Sequence, residues 1–347
     1  TRYNMNKITQ SSLLPARRSN SLTVGKTYVG IDFGTTTTVV SIATYDAASD
    51  KIFTQALRMD QQLMDGSMYS AEIIPTVIAW LSKPERILVG EGASELKYKF
   101  KKGKNIWFSF KMELGEDLGA KYYESELRDI EPFKIRNPKD CARVFFMYLK
   151  YLIIRYCDAH NLSKDISFAI SIPASFEANQ RKDLLDALLA NDINVSKQAL
   201  IDEPNAAFIS YVVTRATEGE PMHISPDYNS KVLVFDFGGG TCDISILEIG
   251  QNINGFFSKN IAISKFTKLG GDDIDRYITY HYLMPRFLEA NGKTMSQFRT
   301  REKAQIATSL FKVAERLKIM LNKNLAMMTN DFQMPVLKNS DMKVEVE

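Results

Sequence analysis

Two short segments carry the residues most able to do chemistry. Asp32-Phe33-Gly34 runs into four threonines, Thr35 to Thr38, and Asp236-Phe237-Gly238 runs into Gly239, Gly240 and Thr241. Glycine-rich turns bring backbone N–H groups to an anion with no Cβ in the way, and threonine hydroxyls add donors to phosphate oxygens. An aspartate beside a polyphosphate repels it unless a cation lies between them. Asp32 and Asp236 therefore point to hydrated Mg2+, which takes oxygen ligands and keeps several waters. Either turn alone reads equally well as a plain structural turn. The repetition is the stronger signal: Asp-Phe-Gly-x-x-Thr recurs, Thr37 matches Thr241, and Ser41-Ile42 matches Ser245-Ile246. Two loops would then converge on one polyphosphate.

The flanking residues must hold these turns. Tyr28 to Asp32 and Val39 to Ala43 read as strands on either side of the first turn, and Val232 to Asp236 and Ile244 to Leu247 flank the second. Between the hairpins the pattern alternates. Cys141 to Asn161 has a helical apolar stripe, Ile166 to Ile172 is a buried strand stopped by Pro173, and Glu177 to Asn191 is helical. Gln198 to Ile201 is a further strand, and Glu203-Pro204 opens a helix, since proline fits the first helical positions. Alternating strands and helices predict an α/β fold. The polar segment 219–230, with Pro221 and Pro226, is the expected boundary between two lobes.

Composition narrows the function classes. Hydrophobic residues make up 45% of the 347, enough for a sizeable core and against a disordered chain. A net charge of +3 argues for neither nucleic acid nor a membrane surface. Cys141, Cys157 and Cys242 form no CxxC pair, and His160, His223 and His281 are far apart, so no zinc framework is expected and a reducing compartment is. Residues 1–26 are basic and lack acids and an apolar stretch, which predicts a flexible tail with Met5 as a natural start. Gly25-Lys26-Thr27 lacks the first glycine of a P-loop and leads into a strand, and no GxGxxG follows a strand.

With these residues in view, the chain resembles the nucleotide-binding domain of the 70-kDa heat-shock chaperones (heat shock protein 70, DnaK-like), within the actin-like ATPase superfamily. Ile31 to Thr38 resembles the first phosphate motif of that family and Phe235 to Asp243 the second. Leu200 to Ala207 resembles its first connecting helix, Ile172 to Phe176 with Gln180-Arg181 its Pro/Arg switch, and Leu269 to Asp275 a further turn. The resemblance implies two lobes with duplicated ribonuclease H-like α/β cores around a nucleotide cleft. Lobe I would cover 27–224 and lobe II 225–347, incomplete at Lys343 to Glu347.

The resemblance also supplies roles. Lys111 resembles the lysine that orients the attacking water, although its basic neighbourhood alone reads as a solvated face. Glu203 resembles a helix-start glutamate near the metal waters; alone it reads as a first-turn acid favoured by the helix dipole. The metal would be reached mainly through water from Asp32, Asp236 and Glu203, with Thr241 assisting and Asp243 either a turn residue or a support. Gly270 and Gly271 would join the nucleotide site. Glu315, Lys318, Ile319 and Asn322 share one helical face over 308–322, and the family holds ribose and covers adenine with this face. Ile319 stands where the family has arginine, which leaves room for adenine packing but removes cation–π and hydrogen-bonding contributions to the base, and Asn322 stands where it has serine. On spacing alone, Glu315 and Lys318 are a surface ion pair.

The expected function is a Mg-dependent ATP-hydrolysing domain, with ATP/ADP and Mg2+ as cofactors. Client polypeptides, a J-domain protein and a nucleotide-exchange factor are the implied partners, in the cytoplasm and without nucleic acid or membrane. The alternative is a nucleotide-gated protein-binding switch with little turnover. A sugar kinase of the same superfamily is disfavoured, because no sugar-binding constellation accompanies the heat-shock-type connecting helix.

Overall fold

The computed structural model describes residues 6–7, 23–46, 48–49, 51–97, 99–219, 223–224, 229–252, 255–264, 267 and 269–328. Most of the expected tail, and the expected final strand at Lys343 to Glu347, lie outside the described residues. The chain forms two compact units, Thr1–Lys268 and Leu269–Glu347.

The first unit is built on a mixed sheet. Strand β1 (Thr27–Phe33) buries Thr27, Val29, Ile31 and Phe33 and turns Tyr28, Gly30 and Asp32 the other way, the period-two pattern of a pleated strand. It pairs antiparallel with β2 (Thr37–Asp46), which pairs with β3 (Lys51–Ala56) and, at its start, with β4 (Ile73–Pro75). Helix α1 (Pro138–Ala159) begins at Asn137, whose side chain accepts from Asp140 N, with proline at the first helical position. It buries Cys141, Val144, Phe145, Leu149, Leu152 and Ile153 at helical spacing. Strand β5 (Ile166–Ile172) then returns parallel to β1, and Asp32 lies beside Ser171. Helix α2 (Ala178–Leu189) leads to β6 (Leu200–Asp202), parallel to β5, and at once to α3 (Glu203–Thr217). The sheet order is β6-β5-β1-β2-β3.

Aromatic rings fill the space against β1. The Phe33 ring lies 4.9 Å from Phe146, 6.0 Å from Phe145 and 6.2 Å from Phe110. Trp107 is fully buried in the same unit, on a three-stranded sheet formed with 77–82 and 85–89.

The second hairpin belongs to this unit too. Strands β7 (Ser230–Phe237), β8 (Cys242–Asn252) and β9 (Gly255–Ile263) form an antiparallel sheet whose Leu247 and Ile249 pack on Phe208 and Val212 of α3. The pairing slips between Ile246 and Leu247, opposite Ala262 and Asn260, leaving a bulge on β9.

The second unit, in its described part, is helical: α4 (Gly271–Ile278), a π turn, α5 (Met284–Ala290) and α6 (Thr300–Met328). Helix α6 contains the expected 308–322 and is longer at both ends. Among the described residues no helix is long and apolar enough to cross a membrane.

Candidate functional site

The two repeated turns have the same length. Phe33 pairs with Thr38 across the first and Phe237 with Cys242 across the second, so four residues close each hairpin. Gly34 is required by close approach, because a Cβ there would sit 2.1 Å from Thr37 O. Thr76 braces this turn: its hydroxyl donates to Gly34 O at 3.0 Å, and its N–H donates to Thr36 O at 2.8 Å. In the second turn, Gly238 N donates to Thr241 O at 2.8 Å.

The turns meet. A Cβ on Gly239 would lie 2.3 Å from Thr36 Cγ2, and one on Gly240 3.0 Å from Thr35 Cγ2. Glycine in the second turn is thus what lets the threonines of the first come close. A cavity of about 690 Å3 opens where they meet, and Gly34, Thr35, Thr36 and Thr37 line it together with Gly238, Gly239 and Thr241. Asp32, Asp236, Lys111 and Glu203 line the same cavity.

Each of these charged groups is placed by its element. Asp32 takes the outward face of β1 and accepts from Ser171 Oγ on β5 at 2.7 Å. Asp236 stands directly opposite Asp243 in the β7–β8 pair. Lost hydration at the cavity wall, then the facing Asp243, push the Asp236 carboxyl up; Lys111 acts against them. Ser175 Oγ donates to Asp243 Oδ1 at 3.3 Å, which occupies one of the paired carboxylates.

Lys111 lies on a short 3-10 helix, Phe110–Glu113, and is only 4% exposed. Its Nζ donates to Glu203 Oε1 at 2.6 Å and lies 5.9 Å from the centre of the Phe33 ring and 6.0 Å from that of Phe176. The expectation of a solvated face is overturned at this lysine, whereas Lys101 and Lys104, in the same basic stretch, pair with Glu124 and Glu126 in exposed or half-exposed positions. Burial pushes the Glu203 carboxyl up, Lys111 pulls it down, and Asp32 and Asp236 push it up again; the net shift is upward. Among the described residues, three carboxylates face one ammonium along the cavity wall.

Gly270, Gly271, Glu315, Lys318 and Asn322 belong to the second unit. There Lys318 Nζ donates to Gly271 O at 2.9 Å and pairs with Asp275 Oδ2 at 2.7 Å. Asp275, the true partner of Lys318, was not singled out as such from sequence; it is 4% exposed, and burial pushes its carboxyl up. Glu315 is half-buried, while Asn322 and Ile319 are exposed. Sequence reasoning also missed Thr76 and Ser171, which carry no motif: Ser171 reaches Asp32 through the β5–β1 register, and Thr76 reaches the first turn from the bend after β4.

Comparison with known proteins agrees with this geometry. The family model described as Hsp70 protein matches residues 28–347. The chain is 28% identical over 275 residues to "Chaperone protein DnaK" of Nitrosopumilus maritimus, covering 79% of this chain and 36% of that protein. It is 28% identical over 327 residues to "Chaperone protein dnaK" of Gracilaria tenuistipitata var. liui, covering 90% of this chain and 45% of that one. It is 30% identical over 298 residues to "Chaperone protein DnaK" of Thermosipho melanesiensis, covering 86% and 41%. The chain therefore spans less than half the length of these relatives. The duplicated Asp-Phe-Gly turns, the mixed α/β architecture and a match that runs from β1 to the last residue lead to one conclusion: the chain belongs to the Hsp70 protein family, with its actin-like ATPase fold.

Proposed function

We propose that this chain binds ATP with Mg2+ at the two converging turns and hydrolyses it, as the nucleotide-responsive part of an Hsp70-type chaperone. The observation that carries the reading is the contact of the Gly239–Gly240 turn with Thr35 and Thr36, which gathers both sets of backbone donors and hydroxyls around one cavity. Phosphoryl transfer to water depends on positioning and electrostatics more than on covalent chemistry. Backbone N–H groups of 34–37 and 239–241 would hold the phosphates, and Thr35, Thr36, Thr37 and Thr241 would add hydroxyl donors. Lys111, fixed by Glu203, would orient the water.

The residues fit a hydrated cation. Asp32, Glu203 and Asp236 line the cavity, and two of these three carboxyls are pushed up by their surroundings. Mg2+ takes oxygen ligands and keeps several of its waters, so these carboxylates would reach it through water. When bound, Mg2+ would neutralise charge on the phosphates. Lobe closure passed on through Pro173 and Arg181, client polypeptides, a J-domain protein, a nucleotide-exchange factor and a cytoplasmic setting complete the proposal. They rest on the family, and the setting also on the free thiols of Cys141, Cys157 and Cys242.

Thermal unfolding tests the site. A ligand present at 100 times its Kd stabilises the native state by about 2.7 kcal/mol. Mg·ATP is expected to raise the melting temperature clearly, and ATP with a chelator hardly at all. Equal rises would remove the metal from the site, and no rise with either would remove the nucleotide. Single-turnover release of labelled phosphate then separates an ATPase from a switch without turnover.

A further inference from the structure

Glu203 begins α3 directly after β6, and Asp202 before it and Asn205 two residues after it are tied to a different sheet. Asp202 Oδ2 accepts from Asn260 Nδ2 on β9 at 2.7 Å. Asn260 Oδ1 accepts from Asn205 Nδ2 at 3.0 Å, and Asn205 Oδ1 accepts from Ser258 Oγ at 2.5 Å. On its other side, Asp202 Oδ1 accepts from Arg181 Nη2 at 3.4 Å. Arg181 Nε donates to the carbonyl of Phe176, whose ring lies 6.0 Å from Lys111 Nζ. The string leaves no ambiguity in the amides. A carboxylate only accepts, so Asn260 must turn its nitrogen to Asp202 and its oxygen to Asn205, which then offers its own oxygen to the Ser258 hydroxyl.

Two features mark this string as more than packing. Asn260 sits at the β9 bulge, and a bulge re-aims a side chain that a regular strand would point elsewhere. Further along the same helix–sheet junction, Phe208 and Val212 meet Leu247 and Ile249 in an apolar contact, so apolar residues serve there. A fully paired polar string fixes one geometry where apolar side chains would tolerate several.

We infer that Asn260 and Asp202 are positioning residues for Glu203 and, through it, for Lys111. This rests on the hydrolytic reading above. The string holds Asp202, just before Glu203, and Asn205, two residues after it, to β9, and Asp202 also to α2, so the backbone that carries the carboxylate receiving Lys111 Nζ is fixed on both sides. Neither Asn260 nor Asp202 lines the main cavity, so nucleotide affinity does not depend on them directly.

The test uses the 347-residue chain and three variants. Asn260→Leu removes the donor at similar size. Asn260→Asp sets two carboxylates against each other. The exchange Asn260→Asp with Asp202→Asn restores every bond of the string with donor and acceptor swapped. A small misplacement of a reacting group can cost about 10²-fold in rate, so single-turnover phosphate release is expected to fall at least about tenfold in the first two variants. Mg·ATP affinity stays within about threefold, since the loss falls on the transition state, and the exchange recovers the rate. Labelling of Lys111 by an amine-reactive anhydride, read by mass spectrometry, needs no turnover. It is expected to be severalfold faster in Asn260→Leu and Asn260→Asp and to return to the original rate in the exchange. An unaltered chain that binds ATP but releases no phosphate would sink the hydrolytic reading and leave the labelling to decide the positioning. Unchanged Lys111 labelling in Asn260→Leu, or an exchange that folds and fails to restore protection, would overturn the positioning inference.

Discussion

Lys111→Ala is expected to lower single-turnover phosphate release by about 10²-fold or more, equivalent to roughly 2.7 kcal/mol of transition-state stabilisation. Mg·ATP affinity should change little, because an interaction used mainly in the transition state leaves ground-state binding nearly intact. The structure supplies the reason to expect a large effect. The ammonium is nearly removed from water, held 2.6 Å from Glu203, and set in the wall of the cavity that both turns line. A solvated lysine would contribute well under about 1 kcal/mol through its ion pair. Lys101 provides the control, since it lies in the same basic stretch and its side chain is 66% exposed against Glu124. Lys101→Ala should leave turnover unchanged. Turnover within about threefold of the original in Lys111→Ala would return this lysine to a structural role and favour a nucleotide-gated switch, because a catalytic interaction removed should lower kcat and kcat/KM together.

Much of this site was legible from residue order. The repeated Asp-Phe-Gly pattern located both hairpins, and strand periodicity placed Asp32 and Asp236 at strand ends, where the pairing puts them. Long-range pairing was not legible. Ser171 reaches Asp32 because β5 lies parallel to β1 in one register, and a shift of one residue would turn it to the other face. The burial of Lys111 depends on Phe33 and Phe176, which are distant in sequence, so its neighbourhood of lysines gave the opposite impression. The Asn260–Asp202 contact needs a bulge, and bulges leave no periodic trace in the sequence. Asp275 was visible as part of a turn, but its pairing with Lys318 joins two helices and follows from no spacing rule.

The repeat conceals an asymmetry with a large consequence for stability. Phe33 and Phe237 hold the same place in the same motif, and sequence alone treats them alike. Phe33 is fully buried among Phe110, Phe145 and Phe146, whereas Phe237 is 41% exposed and stacks on Phe235 with ring centroids 6.3 Å apart. The difference follows from which face of each strand meets an apolar layer. On β1 the phenylalanine shares the buried face with Val29 and Ile31; on β7 it shares the exposed face with Leu233 and Phe235, while Val232 and Val234 turn toward α3. Truncating a fully buried phenylalanine removes its transfer free energy and leaves a cavity, so Phe33→Ala is expected to cost about 3–5 kcal/mol. Phe237→Ala empties no enclosed space and should cost less than about 1 kcal/mol. Trp80 and Trp107 both lie in the cluster around Phe33, so tryptophan fluorescence during urea unfolding reports the loss where it occurs. The Phe33→Ala midpoint should fall sharply and the Phe237→Ala midpoint hardly move. Equal shifts would mean that the two hairpins are packed alike and that the burial seen around Phe33 does not describe the folded chain. A large loss at Phe33 has a second effect, because its ring also faces Lys111: the residue that anchors the first turn to the core is the one that backs the ammonium in the cavity wall.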